Sequence, residues 1–216
     1  MQKFKCLTAI FSLIFCVSSL ASNPQTQRIQ SGSFISAFGG YAAVDWGGFD
    51  DSPFVSYSAN ENGGFAYGFS VGYRFSNYFA LEGGWMDLPT VKGVGHTNAD
   101  LTQPPSDISI SSWVGYFMPK FLLEIHQNIF MDVGLGVAYR KSEATPSELF
   151  TNASAYYYTP VFKLAIEWDF RQNWFTYLQY ICVPGYDQDL SAQPTNERDV
   201  PAVNFVGIGI GYKFSL

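Results

Sequence analysis

Residues 204–216 read Asn-Phe-Val-Gly-Ile-Gly-Ile-Gly-Tyr-Lys-Phe-Ser-Leu, and their alternation admits one kind of element. Val206, Ile208, Ile210, Tyr212, Phe214 and Leu216 share one side of an extended chain. Phe205, Gly207, Gly209, Gly211, Lys213 and Ser215 share the other. A period of two is a β-strand signature; a helix would scatter these residues around its axis. The small side is not a solvated surface, because three glycines and one lysine are too sparse for that. This strand needs an apolar medium on one side and a narrow space on the other.

The pattern recurs along the chain. In residues 65–76, Phe65, Tyr67, Phe69, Val71, Tyr73 and Phe75 oppose Ala66, Gly68, Ser70, Gly72, Arg74 and Ser76. A tight turn follows at Ser76-Asn77-Tyr78. Phe79, Leu81, Gly83 and Trp85 then take the apolar side against Ala80, Glu82, Gly84 and Met86. Residues 108–118 place Ile108, Ile110, Val114, Tyr116 and Met118 in phase, expected outward; Pro119 then interrupts, with an irregular continuation to Leu123 and a turn near 124–128. In residues 129–140, Ile129, Met131, Val133, Leu135, Val137 and Tyr139 oppose Phe130, Asp132, Gly134, Gly136, Ala138 and Arg140. In residues 156–170, Tyr156, Tyr158, Phe162, Leu164, Ile166, Trp168 and Phe170 oppose Lys163, Glu167 and Asp169. After a short turn at Arg171-Gln172, residues 173–183 direct Trp174, Thr176, Leu178, Tyr180 and Cys182 outward, with Phe175, Tyr177 and Ile181 competing. Residues 33–46 form a further strand whose two faces are equally mixed, so its inward side stays open.

Eight strands result, joined alternately by three short turns and four long polar loops at about 47–64, 88–107, 141–155 and 184–199. Gly, Pro, Asp, Asn and Ser populate these loops. Prolines fall in loops or near strand ends, where few ladder bonds are lost. The expected fold is all-β: an eight-stranded antiparallel up-and-down transmembrane β-barrel over residues 33–216. Short turns on one side and long loops on the other are the arrangement of bacterial outer-membrane barrels, and an even strand number puts both termini on the periplasmic side.

Residues 1–21 supply the compartment. Lys3 and Lys5 precede an apolar run from Leu7 to Val17, and Ser19-Leu20-Ala21 places small residues before a cut at Ser22. This is a secretory signal peptide; residues 22–32 are a short periplasmic leader. Phe15 stands before Cys16 where a lipoprotein signal needs a small residue. Cleavage removes Cys6 and Cys16, leaves Cys182 alone and excludes an intrachain disulfide. Ten Lys and Arg then face eighteen Asp and Glu, a net charge of −8. No later stretch of about 18 consecutive apolar residues exists, so any membrane span is β.

Aromatics make up 18% of the chain and charged residues only 14%, the reverse of an ordinary water-facing surface. Aromatics gather near strand ends, among them Trp85, Tyr139, Tyr156, Tyr158, Trp168, Trp174, Tyr212 and Phe214, as interfacial girdles do. A soluble lipocalin-like barrel would turn its large apolar residues inward around a ligand. The inward charges are Arg74, Arg140, Lys163 and Lys213 against Glu82, Asp132, Glu167 and Asp169. An eight-stranded barrel is just wide enough for side chains to fill it, so these charges must pair. Glu82 is expected opposite Gly72 and diagonal to Arg74; Asp132 and Lys163 are expected to face each other across strands five and six.

Four segments carry a likeness to known proteins: Phe38-Gly39-Gly40-Tyr41, Phe69-Ser70-Val71-Gly72-Tyr73-Arg74-Phe75, Val133-Gly134-Leu135-Gly136-Val137-Ala138-Tyr139 and Gly207-Ile208-Gly209-Ile210-Gly211-Tyr212-Lys213-Phe214. With them the chain resembles the small outer-membrane β-barrel family of the OmpA transmembrane domain and the opacity-type surface proteins. The resemblance implies a structural, adhesin-like or surface-interaction role in the bacterial outer membrane. It also implies a C-terminal assembly signal, here Tyr212, Phe214 and Leu216, read by the outer-membrane assembly machinery. The family's signal usually ends in Phe, whereas Leu216 ends this one. No peptidoglycan-binding domain follows the barrel, so anchoring to the cell wall is not expected.

Some small outer-membrane barrels are lipid A acyl hydrolases or acyltransferases that use His with Ser and an acid. His126 falls at a short turn, and His96 lies in the second long loop with no His-x-Ser spacing, so no catalytic residue is assigned. The loop acids, such as Asp50, Asp51, Asp100, Asp187 and Asp189, form no defined calcium loop, so neither metal nor cofactor is expected. Asp45 and Asp87 flank the barrel end in the same solvated way, and Asn152-Ala153-Ser154 is a chance sequon. Net acidity excludes nucleic acid. The glycines recur within strands instead of opening a helix, which excludes a phosphate loop. The expected partners are outer-membrane lipid and lipopolysaccharide, the assembly machinery, and a host or surface ligand met by the loops. A lipid A-modifying enzyme and a narrow solute channel are the alternatives.

Overall fold

The computed structural model describes residues 31–44, 55–61, 63–97, 106–145, 154–171, 173–187, 199–200 and 202–215. The signal peptide and the leader as far as residue 30 lie outside the described residues. The strands are β1 (Gly32–Val44), β2 (Val55–Glu61), β3 (Gly63–Arg74), β4 (Phe79–Asp87), β5 (Val91–Thr97) and β6 (Ser106–His126). They continue with β7 (Ile129–Thr145), β8 (Ser154–Asp169), β9 (Trp174–Val183), β10 (Tyr186–Asp187), β11 (Asp199–Val200) and β12 (Val203–Ser215).

Eight of these close on themselves. β1, β3, β4, β6, β7, β8, β9 and β12 pair antiparallel in that order, and β12 returns to β1. The closing ladder runs the full length of β1, from Gly32 opposite Ser215 to Val44 opposite Val203. Closure leaves these strands no free backbone edge, which a chain in hydrocarbon cannot tolerate.

Alternation becomes an inside and an outside. On β3, Phe65, Tyr67, Phe69 and Val71 are exposed while Ala66, Gly68, Ser70 and Arg74 are buried. On β12, Val206, Ile208 and Ile210 are exposed while Phe205, Gly207, Gly209 and Gly211 are buried. β1, whose faces are balanced in sequence, turns Phe34, Ser36, Phe38, Ala42 and Val44 inward. Its phenylalanines fit because glycines stand beside them: a Cβ on Gly68 would lie 2.6 Å from the Phe38 ring, and one on Gly72 2.3 Å from the Phe34 ring.

One expected outward face is reversed, and a second is buried at one residue. On β6, Ile110, Val114, Tyr116 and Met118 are buried inside, whereas Phe117, Phe121 and Leu123 are exposed. Both faces of this strand are apolar, so hydropathy does not distinguish them. Its register with β7 is also unbroken across Pro119, from Phe117 opposite Val137 to Lys120 opposite Gly134, and shifts only between Glu124 and His126. Proline loses one ladder hydrogen bond but its φ is compatible with a strand, so residue parity is preserved. On β9, Trp174 and Leu178 are exposed and Phe175, Tyr177 and Ile181 buried; Cys182 keeps the outward parity of Trp174 and Leu178 but is buried beside its ladder neighbours Phe162 and Asn204.

The short turns lie at one end, at residues 76–78 and 127–128 and in the connection from Asp169 to Trp174. Asn128 adopts φ 64°, a left-handed conformation that asparagine tolerates better than most residues. The opposite, open end is more ordered than a set of polar loops. β6 continues past its last β4 pair, Trp113 with Asp87, and pairs β5 from Ile110 to Ser106. β2 adds to the far side of β5. The expected loops 47–64 and 88–107 therefore carry strands. β7 runs to Thr145 and β8 begins at Ser154, which shortens the third connection, and β10 pairs β11 within the fourth.

Candidate functional site

The barrel interior holds the charged chemistry, and it is layered. In the half nearest the short turns, Glu82 is the centre of one group. Its Oε2 accepts from Lys120 Nζ at 2.9 Å, and its Oε1 accepts from Lys163 Nζ at 2.7 Å and from the Tyr116 hydroxyl at 3.1 Å. Lys120 also pairs with Asp132. Glu167 is the centre of a second group. Its Oε1 accepts from Lys213 Nζ at 2.8 Å and from Arg74 Nη2 at 3.3 Å, and Lys213 donates further to Asp169 Oδ1 at 2.5 Å. β3 and β8 are four strands apart in either direction around the barrel, so the Arg74–Glu167 pair crosses the full lumen.

Aromatic rings line this network. Lys120 Nζ lies 5.3 Å from the Phe34 centroid, Lys163 Nζ 5.2 Å from Tyr177, Lys213 Nζ 4.9 Å from Phe175, and the Arg74 guanidinium 5.1 Å from Phe130. Each cation thus meets carboxylate and ring face together, which offsets part of its lost hydration. Ser36 bridges Ser70 at 2.7 Å and Tyr177 at 2.9 Å, tying three strands beside the charges. An isolated buried charge costs several kcal/mol, so the groups are stable here because Glu82 and Glu167 are each shared between two cations, and Lys120 and Lys213 each between two carboxylates.

Toward the open end the interior turns apolar. Val44, Met86, Ile110, Val114, Ile181 and Phe205 come from five strands and are all essentially inaccessible. The polar groups among them are few: Ser112 bridges Ser142 at 2.8 Å, Thr159 donates to the Pro184 carbonyl at 3.0 Å, and Arg140 lies 5.9 Å from the Tyr157 ring.

Arg74, Glu82, Asp132, Arg140, Lys163 and Glu167 therefore stand inside and buried, with Asp169 and Lys213 half-buried at the short-turn mouth. Gly72 does stand opposite Glu82. The expected pairings nonetheless differ from those found. Arg74 reaches Glu167 instead of Glu82. Asp132 stands opposite Ala165 and Lys163 opposite Gly134, so these two do not face each other in the ladder. Lys120 supplies the missing connection; a strand interrupted at Pro119, as expected from the sequence, leaves it out of the inward charges. Unbroken parity along β6 is the signal that locates it. Five described cations then accompany four acids inside, with Arg140 among the apolar side chains toward the open end.

Outside, the wall is a continuous apolar band: Phe65, Phe69, Phe117, Leu135, Val137, Ile166 and Ile208 are among its exposed residues. On the closing strand, Tyr212 contacts Trp174 and Phe214, each with centroids 5.1 Å apart, at the short-turn end. Leu216 lies outside the described residues. His126 ends β6 beside the turn; His96 lies in β5, opposite Ser56 in the ladder.

No protein-family model and no curated protein matches the sequence. Solved structures do match. The chain is similar to the outer membrane protein OprG from Pseudomonas aeruginosa, with a TM-score of 0.52 at 15% identity over 87% of this chain and 98% of that one. It shares the fold of the small eight-stranded outer-membrane β-barrels. Outer Membrane Protein W of E. coli gives the same comparison, with a TM-score of 0.50 at 12% identity over 86% of this chain and 100% of that one. At such identities the likeness is one of architecture, and the ion-pair groups above are read from this chain's own residues.

Proposed function

We propose that this protein is a structural outer-membrane barrel that stabilises the envelope and presents its open end to partners outside the cell, without enzymatic activity. The observation that carries the reading is the filled lumen: one half is occupied by two shared-carboxylate groups and the other by packed apolar side chains. The apolar outer wall supports a bilayer location. The short turns and both termini belong on the periplasmic side, with the β2–β5–β6 extension facing outward. Lipid and lipopolysaccharide are the immediate partners. Tyr212 and Phe214, aligned on the outer face of the closing strand, are the part of the C-terminal segment that the assembly machinery would engage. The signal peptide, residues 1–21, delivers the chain to that machinery, and residues 22–32 remain as a leader.

Planar-bilayer recording of the pure folded protein tests the filled lumen. Stable, large conductance steps would overturn it; a silent bilayer is expected. In cells, deleting each long connection singly and scoring adhesion, serum survival and lipid A mass separates the roles. Altered adhesion or survival with unchanged lipid A mass is expected, and a lipid A mass change dependent on His96 would point to the enzyme. One observation favours a narrow channel as a second reading: Gln179 is buried in the lumen with neither amide atom bonded to protein among the described residues. A Gln179→Leu variant that abolished a measurable small conductance would support it.

A further inference from the structure

On the outer wall near the open end, four aromatic rings from three neighbouring strands make one patch. Tyr139 on β7 is its hub, with centroids 5.7 Å from Trp113 on β6, and 6.3 Å and 5.1 Å from Tyr156 and Tyr158 on β8. Lys141 follows Tyr139 on the same face and stands between Trp113 and Tyr156 as cross-strand neighbours. Its Nζ lies 5.6 Å from the Tyr156 centroid. Among the described residues of the eight barrel strands, Lys141 is the one Lys or Arg on the outward face.

Its height is set by the strand. Lys141 lies twelve residues beyond Ile129 at the short-turn end. At ~3.3 Å per residue and a tilt of about 40°, that is about 30 Å along the barrel axis, the thickness of a bilayer's hydrocarbon core. Leu135 and Val137 lie below it, exposed to the apolar band. An aromatic belt at this height is what any membrane protein shows. A belt alone does not explain a cation laid against it. Lys141 is three-quarters buried by its surroundings, with a side-chain exposure of 25%, while its ion-pair partner Glu143 is 51% exposed. A pair with one half so exposed is weak and readily exchanged.

We propose that Lys141, Trp113, Tyr156 and Tyr158 bind the phosphorylated saccharide headgroup of an outer-leaflet glycolipid. The ammonium takes the phosphate in place of Glu143, and the exposed ring of Tyr158 takes the apolar face of a sugar. The site rests on the outer-membrane reading above and names the lipid class that reading requires at this position.

Native mass spectrometry of the full folded chain in neutral detergent, titrated with bisphosphorylated lipid A, tests it. Wild type binds one lipid A, and Lys141→Ala weakens binding about tenfold, the loss of one charge-assisted contact. Tyr158→Ser weakens it in the same direction. Glu143→Gln tightens it, because the competing carboxylate is gone. Lys92→Ala, which removes an equal charge from β5 beyond the barrel, leaves binding unchanged. Lipid A stripped of its phosphates binds wild type no better than intact lipid A binds Lys141→Ala. Equal binding by wild type and Lys141→Ala, an equal loss in Lys92→Ala, or weaker binding by Glu143→Gln would overturn the site. Heat-modifiable gel migration of each variant reports the barrel separately. A wild type that migrates alike boiled and unboiled would sink the membrane-barrel reading instead.

Discussion

Near the short turns, Glu82 and Glu167 between them accept from Lys120, Lys163, Arg74, Lys213 and Tyr116; toward the open end, Phe205, Ile181, Met86 and Val114 fill the same cylinder with hydrocarbon. Both halves turn buried side chains into the lumen, but their energetics differ in kind. The charged half is a set of mutually dependent groups, in which losing one member strands the others. The apolar half is a sum of contacts, in which losing one member leaves a local gap. A barrel of this width needs only volume to be closed. The contrast teaches that charge in the lumen is a matter of specificity and arrangement more than of filling.

Removing a single member of the charged half should have the largest effect. Lys120→Met leaves Asp132 without its ion-pair partner and Glu82 with only one lysine, and should destabilise the barrel by about 3–5 kcal/mol in urea unfolding from lipid vesicles. A loss under about 1 kcal/mol would break the contrast, because Lys120 would then behave like one more packing residue. Phe205→Ala should cost about 3 kcal/mol in the same assay, by opening a cavity where the ring fills the space beside Gly207. Its effect should be independent of salt. Ser36→Ala should cost about 1 kcal/mol, since Ser70 and Tyr177 each lose a partner but sit among other polar groups. Replacing Glu82, Lys120, Asp132 and Lys163 together by Leu, Met, Leu and Met should return stability to within about 1 kcal/mol of wild type. That result would sharpen the contrast, by showing that the network's worth lies in its completeness. Glu143→Ala, which breaks an exposed pair on the outer wall, should change stability by less than about 0.5 kcal/mol.

Much of the fold was legible in the chain. β3, β4, β7, β8 and β12 alternate large and small residues strictly enough that each inward charge on them could be named. β1 and β6 resisted for one shared reason. Where the inward side chains of a strand are themselves apolar or aromatic, the strand is hydrophobic on both faces, and hydropathy carries no information about direction. Phe34 and Phe38 face in and Phe117 and Phe121 face out, although each stretch reads alike. β2 and β5 were hidden differently: Val55–Glu61 and Val91–Thr97 are short strands within polar connections, and they form where β6 outruns β4 and offers a free ladder. Proline concealed Lys120, the residue joining Asp132 to Glu82.

Sequence alone determined the architecture, the apolar wall and eight of the inward charges, because a two-residue period is a local property that neighbouring strands merely repeat. Tertiary structure alone decided which charge meets which. Arg74 and Glu167 lie on opposite sides of the barrel, and Glu82 meets Lys163 three strands away. Those meetings depend on the stagger summed around the whole closed ladder, to which every strand contributes and which no single stretch of sequence encodes. The same is true of the outer wall, where Trp113, Lys141 and Tyr156 become neighbours only when β6, β7 and β8 are set in register.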